Sequence, residues 1–287
     1  MTTRSGNVDL FLMPELPEVE TIARGLAERV TGERIESVWI GSRRQPLKSS
    51  AAKIVATLTG KTIARVHRMG KNIVFELAET PGRMSPMASA QWIVHLGMTG
   101  RMLVCSVESE AVKHTHAVVS LVSGLEIRFI DARMFGKLSV HPRGGFDPGG
   151  VEPLEVGLAA FVELFRGRKT PIKSALLDQK LLRGVGNIYA DESLARVGVR
   201  PKRRASTVTR DEMARLWKAV QEVLREAIAL GGSSVSDYVG ADGEEGFFQL
   251  QHRVYGREGE PCLVCRTLVK RVVIAGRSSH YCPKCQK

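Results

Sequence analysis

Four of the five cysteines stand in two close pairs. Cys262 and Cys265 form one C-x2-C unit and Cys282 and Cys285 the other, with sixteen residues between them. Thiolates at that spacing converge on one tetrahedral ion, and zinc is the expected occupant. Four sulfur ligands close the coordination shell, so this Zn2+, one per chain, is structural and not a Lewis acid for chemistry. Disulfide pairing is the competing reading, and a reducing cytosol disfavours it. Residues 268–275, followed by Gly276, suit a β-hairpin between the pairs. So short a segment cannot bury enough apolar area to fold unaided, and metal binding must supply much of its stability. Cys105 stands alone and reads as a buried strand thiol. His114 and His116 lie two apart and would share a face in a strand. With no third ligand in view they make a weak metal site.

Charge points to the partner. The 287 residues carry a net charge of +12, yet residues 166–204 alone net +8 and residues 251–287 net +6. Two basic blocks on a near-neutral background describe a docking surface for a polyanion, with a solvated face as the plain alternative. No run of about 18 apolar residues is present, so no membrane span is expected. The short apolar stretch 8–13, broken by Asp9, does not make a secretory signal. A cytoplasmic chain is expected.

The elements that must position these groups fall into blocks. Residues 13–140 are mostly strand-like, with Val- and Ile-rich runs at 34–40, 62–67, 72–77, 92–96, 117–122 and 125–130. Residues 17–30 are the exception. Val19, Ile22, Ala23, Leu26 and Val30 fall on one helical face. The Gly/Pro-rich stretch 141–153 reads as a linker. Residues 154–250 are helical at first, most clearly at 211–230, which Gly231-Gly232 ends. Few apolar residues occur across 232–256, which reads as a mobile loop. The cysteine module fills 251–287, and no internal repeat is visible.

Met13 to Glu20 reads M-P-E-L-P-E-V-E. Together with Lys71, the turn Gly184-Val185-Gly186-Asn187-Ile188-Tyr189-Ala190 and the four-cysteine finger, this resembles the bacterial formamidopyrimidine-DNA glycosylases, from Met13 to Lys287. The related endonuclease VIII type usually has Gly where this chain has Leu16, so the first subgroup fits better. The resemblance implies an α+β multidomain fold: an N-terminal β-sandwich carrying an N-terminal helix, a helix–two-turn–helix domain and a C-terminal four-cysteine zinc finger. Damaged double-stranded DNA would lie in the cleft between them, bound by a monomer.

The implied activity is base excision of oxidised purines coupled to strand cutting. An amine attacks the sugar C1′, and the resulting imine is an electron sink for elimination of both phosphates. In the family that amine is an N-terminal proline, here Pro14. An α-amino group has a pKa of about 7.7–8.0 against about 10.4 for lysine, so far more of it is unprotonated at neutral pH. Glu15 matches the general acid. Lys71 matches the lysine that assists β-elimination, and Arg277 the finger arginine assigned to δ-elimination. A base must leave the stack to be excised. Met98, Arg133 and Phe135 match the residues that fill the vacated space, although Met98 alone would read as a core methionine. His95, His114, Arg133, Lys169 and Asn187 match phosphate contacts, Asn187 at a helix start. The loop 236–249 occupies the position that caps an extruded purine.

Three departures stand out. Residues 1–12 precede the motif and would lock Pro14 into a tertiary amide, so the mature chain is expected to begin after Met13. D-A-R-M-F-G at 131–136 replaces the common D-P-R-R-F-G, which puts the opposite-base preference in doubt. The stretch 80–90 is long for the turn it occupies. The alternatives are an endonuclease VIII-type glycosylase of oxidised pyrimidines and a catalytically inactive zinc-finger DNA-binding relative.

Overall fold

The computed structural model describes residues 13–79, 88–233 and 246–287. The expected extension 1–12, most of the 80–90 stretch and most of the 236–249 loop lie outside them.

The chain opens with α1 (Leu16–Val30), then β1 (Ile35–Ile40), α2 (Ala51–Leu58), β2 (Thr62–Met69), β3 (Asn72–Ala78), β4 (Ala88–His95), β5 (Arg101–Ser106), β6 (Thr115–Leu121), β7 (Leu125–Ile130) and β8 (Lys137–Pro142). The strands form two antiparallel four-stranded sheets, ordered β1-β6-β7-β5 and β2-β3-β4-β8. Alternation builds the core between them. Ile73, Phe75 and Leu77 of β3 face inward, where Phe75 pairs across the ladder with Trp92 and the rings stack at 4.6 Å. The apolar face of α1 lies on the same core through Val19, Ile22, Ala23, Leu26 and Val30.

The helical domain holds α3 (Leu158–Phe165), α4 (Ile172–Leu176), α5 (Asn187–Val197) and α6 (Arg210–Ala229). At the start of α6 Thr209 and Glu212 satisfy each other's backbone donors, a capping box that fixes the boundary. The core of this domain contains Leu16, so α1 begins in one hydrophobic core and continues into the other. In the last unit β9 (Lys270–Ile274) and β10 (Arg277–Tyr281) pair in a hairpin. Ala275 and Gly276, both at positive φ, close it with the two-residue turn that such hairpins favour.

The fold class agrees with the expectation; several local readings do not. Two further strands appear, β5 and β8, and Ser50 caps a helix, α2, that the strand-like composition concealed. The first two residues of the expected linker 141–153 belong to β8. Its far end is pinned, because Glu152 is buried against Arg68 of β2 and Arg183 of the helical domain. The described part of the expected loop 232–256 is likewise held. Phe248 is fully buried against Tyr189, and Glu192 accepts the backbone N–H groups of Arg253, Val254 and Tyr255. Those backbone bonds leave no hydrophobic period in the sequence. Cys105 is half-buried on β5, not interior.

The finger is fastened to the helical domain by a buried ion pair. Lys173 Nζ lies 2.7 Å from Asp191 Oδ1 and also donates to the Ser278 carbonyl, while Asp191 accepts from the Ser279 hydroxyl and the His280 N–H. Both charges are fully buried. Removing one partner of such a pair strands the other, at a cost of about 3–5 kcal/mol. Asp191→Ala should therefore lose about that much in urea unfolding, and a loss under about 1 kcal/mol would show that the pair carries no such weight.

Candidate active site

A cleft of about 570 Å3 lies where the three units meet. Met13, Glu15, Lys71, His95 and Met98 line it from the sandwich side, Asn187 from α5, and Arg277 from the finger.

Glu15 is the group that burial alters most usefully. It precedes α1, its N–H donates to Glu18 Oε2 at 2.9 Å, and its Oε1 accepts from the Ile188 N–H at 3.2 Å. The carboxyl thus sits against the N-terminus of α5, where orphan N–H groups favour negative charge. Two glycines make room for it and for the neighbouring Leu16. A Cβ on Gly186 would fall 2.1 Å from Glu15 Cδ, and one on Gly184, at φ +90°, would fall 2.8 Å from Leu16 Cδ1. Burial nevertheless dominates and raises the Glu15 pKa to about 7; the Lys71 ammonium opposes the rise, and the Glu18 carboxyl adds to it. A carboxyl that is about half protonated near pH 7 can both give and take a proton. Its Oε2 is buried and without a protein partner.

Lys71 follows Gly70, which turns the chain at φ +61° between β2 and β3. Burial pushes its pKa below the ordinary lysine value, against the pull of Glu15 and Glu18, and Arg277 pushes the same way as burial. Arg277 is exposed at the first position of β10. The hairpin turn before it sets its place on the cleft wall. His95 Nδ1 accepts the Gly97 N–H at 3.1 Å. Burial, with Lys137 and Lys71 nearby, lowers its pKa to about 4. The ring is therefore neutral at physiological pH, and the remaining proton sits on Nε2. Asn187 is the first residue of α5. Its amide donates to Ser278 Oγ and to the Tyr255 hydroxyl, while its Oδ1 is buried without a partner.

The remaining expected residues are placed as follows. Met98 is half-buried on the cleft wall and not in a core. Arg133 and Phe135 are exposed, with the guanidinium 4.9 Å over the ring. His114 and His116 do not share a face. His114 is exposed at φ +67° before β6, whereas His116 is buried with Nε2 2.8 Å from the Asp131 carbonyl. The left-handed residue breaks the alternation, so the paired-imidazole metal reading fails. Lys169 is exposed in the turn between α3 and α4 and is not among the residues lining the cleft. Sequence reasoning missed Glu18, which is buried, holds the Tyr189 hydroxyl, and accepts the Ser233 N–H at 2.8 Å. It sits in the M-P-E-L-P-E-V-E run, but a helical Glu beside an apolar face gives no signal of its own. Tyr255, buried in the turn before the finger, was also missed, because its contact with Asn187 joins residues far apart in the chain.

The four finger cysteines are free of disulfides, and their sulfurs lie within 4.8 Å of one another. Cys265 and Cys282 are 3.4 Å apart and Cys262 and Cys285 4.0 Å. These values bracket the edge of about 3.8 Å that a tetrahedron with Zn–S of about 2.3 Å requires. The four sulfurs fit one structural Zn2+.

Comparison with known proteins agrees with this geometry. Residues 13–138 match the formamidopyrimidine-DNA glycosylase N-terminal domain, residues 150–239 its H2TH domain, and residues 259–287 a zinc finger found in FPG and IleRS. The chain is 44% identical to a formamidopyrimidine-DNA glycosylase of Solibacter usitatus, over 96% of this chain and 100% of that one. It is similar to a Lactococcus lactis FPG variant solved in complex with a Fapy-dG containing DNA, with a TM-score of 0.87, 31% identity, and coverage of 96% and 100%. It is also similar to the MutM (FPG) protein of Thermus thermophilus, with a TM-score of 0.82, 39% identity, and coverage of 95% and 98%. The architecture and cleft define a DNA repair glycosylase with a zinc finger. The chain belongs to the formamidopyrimidine-DNA glycosylase family. Among the described residues no helix is long and apolar enough to cross a membrane.

Two measurements check the site. Between about pH 4.5 and about 7 the folded full chain keeps a proton on Glu15 that the unfolded chain has released, so stability falls as pH rises through that window and then levels. Relative to Glu15→Gln, the full chain should lose on the order of 3 kcal/mol between about pH 4.5 and about pH 8, read by urea unfolding at each pH. Equal pH dependence of the two proteins would show that Glu15 ionises with an ordinary pKa. Elemental analysis of the reduced protein should find one zinc per chain, and Cys282→Ser should release it while the sandwich stays folded. A chain free of metal yet with a fully folded finger would contradict the ligand assignment.

Proposed function

We propose that the chain is a bifunctional DNA glycosylase and AP lyase that removes oxidised purines, such as 8-oxoguanine and formamidopyrimidines, from double-stranded DNA and cuts the strand by β,δ-elimination. The observation that carries this reading is the buried Glu15 carboxyl, with a pKa of about 7, sharing one cleft with Lys71 and Arg277 and adjacent in sequence to Pro14. A proton donor, two cations and a secondary amine are the parts that imine chemistry at a sugar needs.

In this reading the active form begins at Pro14. Its nitrogen attacks C1′ as the base departs with the glycosidic electron pair and takes up a proton. Glu15 gives its proton to the ring oxygen, the ring opens, and C1′ becomes an iminium carbon bonded to Pro14. Loss of a C2′ proton expels the 3′-phosphate. Loss of the C4′ proton then expels the 5′-phosphate, and water releases the proline. Lys71 and Arg277 neutralise the departing phosphates. His95 donates from Nε2 as a neutral group, and Asn187 offers its amide beside the free N–H groups of α5. Met98, Arg133 and Phe135 fill the space the base leaves, while His114 and Lys169 hold the flanking backbone. The protein acts as a monomer in the cytoplasm, on DNA of the nucleoid.

A chain that starts at Met1 has Pro14 nitrogen in a tertiary amide with no basic lone pair. Borohydride should therefore trap DNA on the form beginning at Pro14, with mass spectrometry placing the adduct on Pro14, and should fail with the full chain. Duplexes carrying 8-oxoguanine, an oxidised pyrimidine or a pre-formed abasic site separate the proposed substrate from the pyrimidine alternative. Equal trapping by the full chain, with the adduct on Lys71, would overturn Pro14 as nucleophile.

A further inference from the structure

Asp131 is fully buried and forms no ion pair among the described residues. The polar groups that meet it are the Thr99 hydroxyl, the His116 ring and backbone atoms. Oδ1 accepts the Thr99 hydroxyl and the Arg133 N–H at 3.2 Å, and Oδ2 accepts the Gly136 N–H at 2.7 Å. Its own N–H donates to the His114 carbonyl at 3.0 Å, and its carbonyl lies 2.8 Å from His116 Nε2. A buried carboxylate compensated by hydrogen bonds alone is costly unless every bond is kept. The carboxylate's bonds run to two loops and the residue's own N–H reaches a third, and each loop carries a residue that the proposed function places on DNA. Thr99 follows Met98, Arg133 and Gly136 flank Phe135, and His114 leads into β6.

The backbones of two of these loops also interlock. A Cβ on Gly97, at φ +68°, would lie 2.5 Å from the Gly136 nitrogen, and one on Gly136 would lie 2.5 Å from Phe129 Cζ. Met134 is held at φ +57°, a left-handed conformation that an unbranched residue adopts only when its surroundings require it. Met98 and the Arg133–Phe135 stack are thus set by one shared anchor and not by their own loops.

We infer that Asp131 is a positioning residue that locks the Met98 loop, the Arg133–Phe135 loop and the His114 backbone into a single rigid wedge for opening the base stack. The inference rests on the proposed function. A wedge that pushes bases apart transmits force only if it does not yield, and apolar side chains on free loops would fold away instead. Asp131→Asn keeps the size but turns an NH2 group toward one of the donors. Thr99→Val is isosteric and removes one donor, and keeps the question open to test if the first variant folds poorly.

The test compares two duplexes with protein that begins at Pro14. One carries a stacked 8-oxoguanine and the other a pre-formed abasic site, where no base has to be unstacked. Asp131→Asn should slow excision of the stacked lesion about tenfold more than it slows cutting at the abasic site, and Thr99→Val should shift the ratio about threefold the same way. Placing the lesion in an unpaired bulge should narrow both ratios, a rescue that a general loss of folding would not show. Equal losses on both duplexes would overturn the inference and leave the proposed function standing. Unmodified protein inactive on every duplex would overturn the proposed function and the inference with it.

Discussion

The structure depends on one close approach, between the start of α1 and the start of α5. Leu16 N–H donates to the Gly184 carbonyl, Glu15 accepts from Ile188, and Gly186 yields the volume that the Glu15 carboxyl occupies. Leu16 is a member of the helical domain's core although it belongs to a helix of the sandwich. The first residues of the motif are therefore buried by a domain that begins more than a hundred residues later. Neither unit can place the carboxyl alone. The sandwich supplies Glu15 and Lys71, the helical domain closes over Glu15 at Gly186 and Ile188, and burial shifts both pKa values.

Helix α5 repeats that logic along its length. Its start faces Glu15 and presents Asn187. Tyr189 holds Glu18, Asp191 holds the finger hairpin through Lys173 and His280, and Glu192 collects three consecutive backbone donors from the segment leading to the finger. Four acidic groups and a tyrosine are buried around one short helix. Glu18, Asp191 and Glu192 accept from donors in another part of the chain and Tyr189 donates to one of them, so the polar interior fixes relative placement where apolar contact would tolerate sliding. The same argument explains why the finger can deliver an exposed Arg277 to a fixed point. Zinc closes the finger internally, and Asp191 and Glu192 orient it externally.

Much of this was legible in the sequence, and the limit is physical. The apolar period of α1, the Val-rich strands, the capped α6 and the cysteine spacing report local constraints, and each produced the element it indicated. The convergence of Glu15, Lys71, Asn187 and Arg277 on one cleft was legible only through the resemblance, because no local pattern joins residues so far apart. What stayed hidden was of two kinds. Elements such as α2, and the pinned segment around Glu152, owe their order to single capping or ion-pair contacts that leave no period. Buried polar groups such as Glu18, Asp131 and Lys173 look in sequence like solvated surface, since burial of a charge is decided by tertiary partners. His114 shows the converse: a strand-like spacing is cancelled by one left-handed residue.

The charge arrangement of the cleft follows from the same burial. A polyanionic partner is attracted by net positive charge, yet the chemistry needs a carboxyl at the point of closest approach. Two fixed carboxylates there would cancel the two cations. Desolvation eases the conflict, because it raises the pKa of Glu15 to about 7, so that near neutrality this carboxyl does not carry its full charge, and it pushes the pKa of Glu18 in the same direction. His95 is kept neutral by the same desolvation and donates without adding charge. In the proposed function the cleft therefore offers Arg277 and the partly shielded Lys71 to phosphate, while Glu15 keeps a proton to give. Exposing Glu15 to solvent would restore its charge at neutral pH, and under the proposed function it would in one step remove the proton that group gives and weaken the attraction for a polyanion.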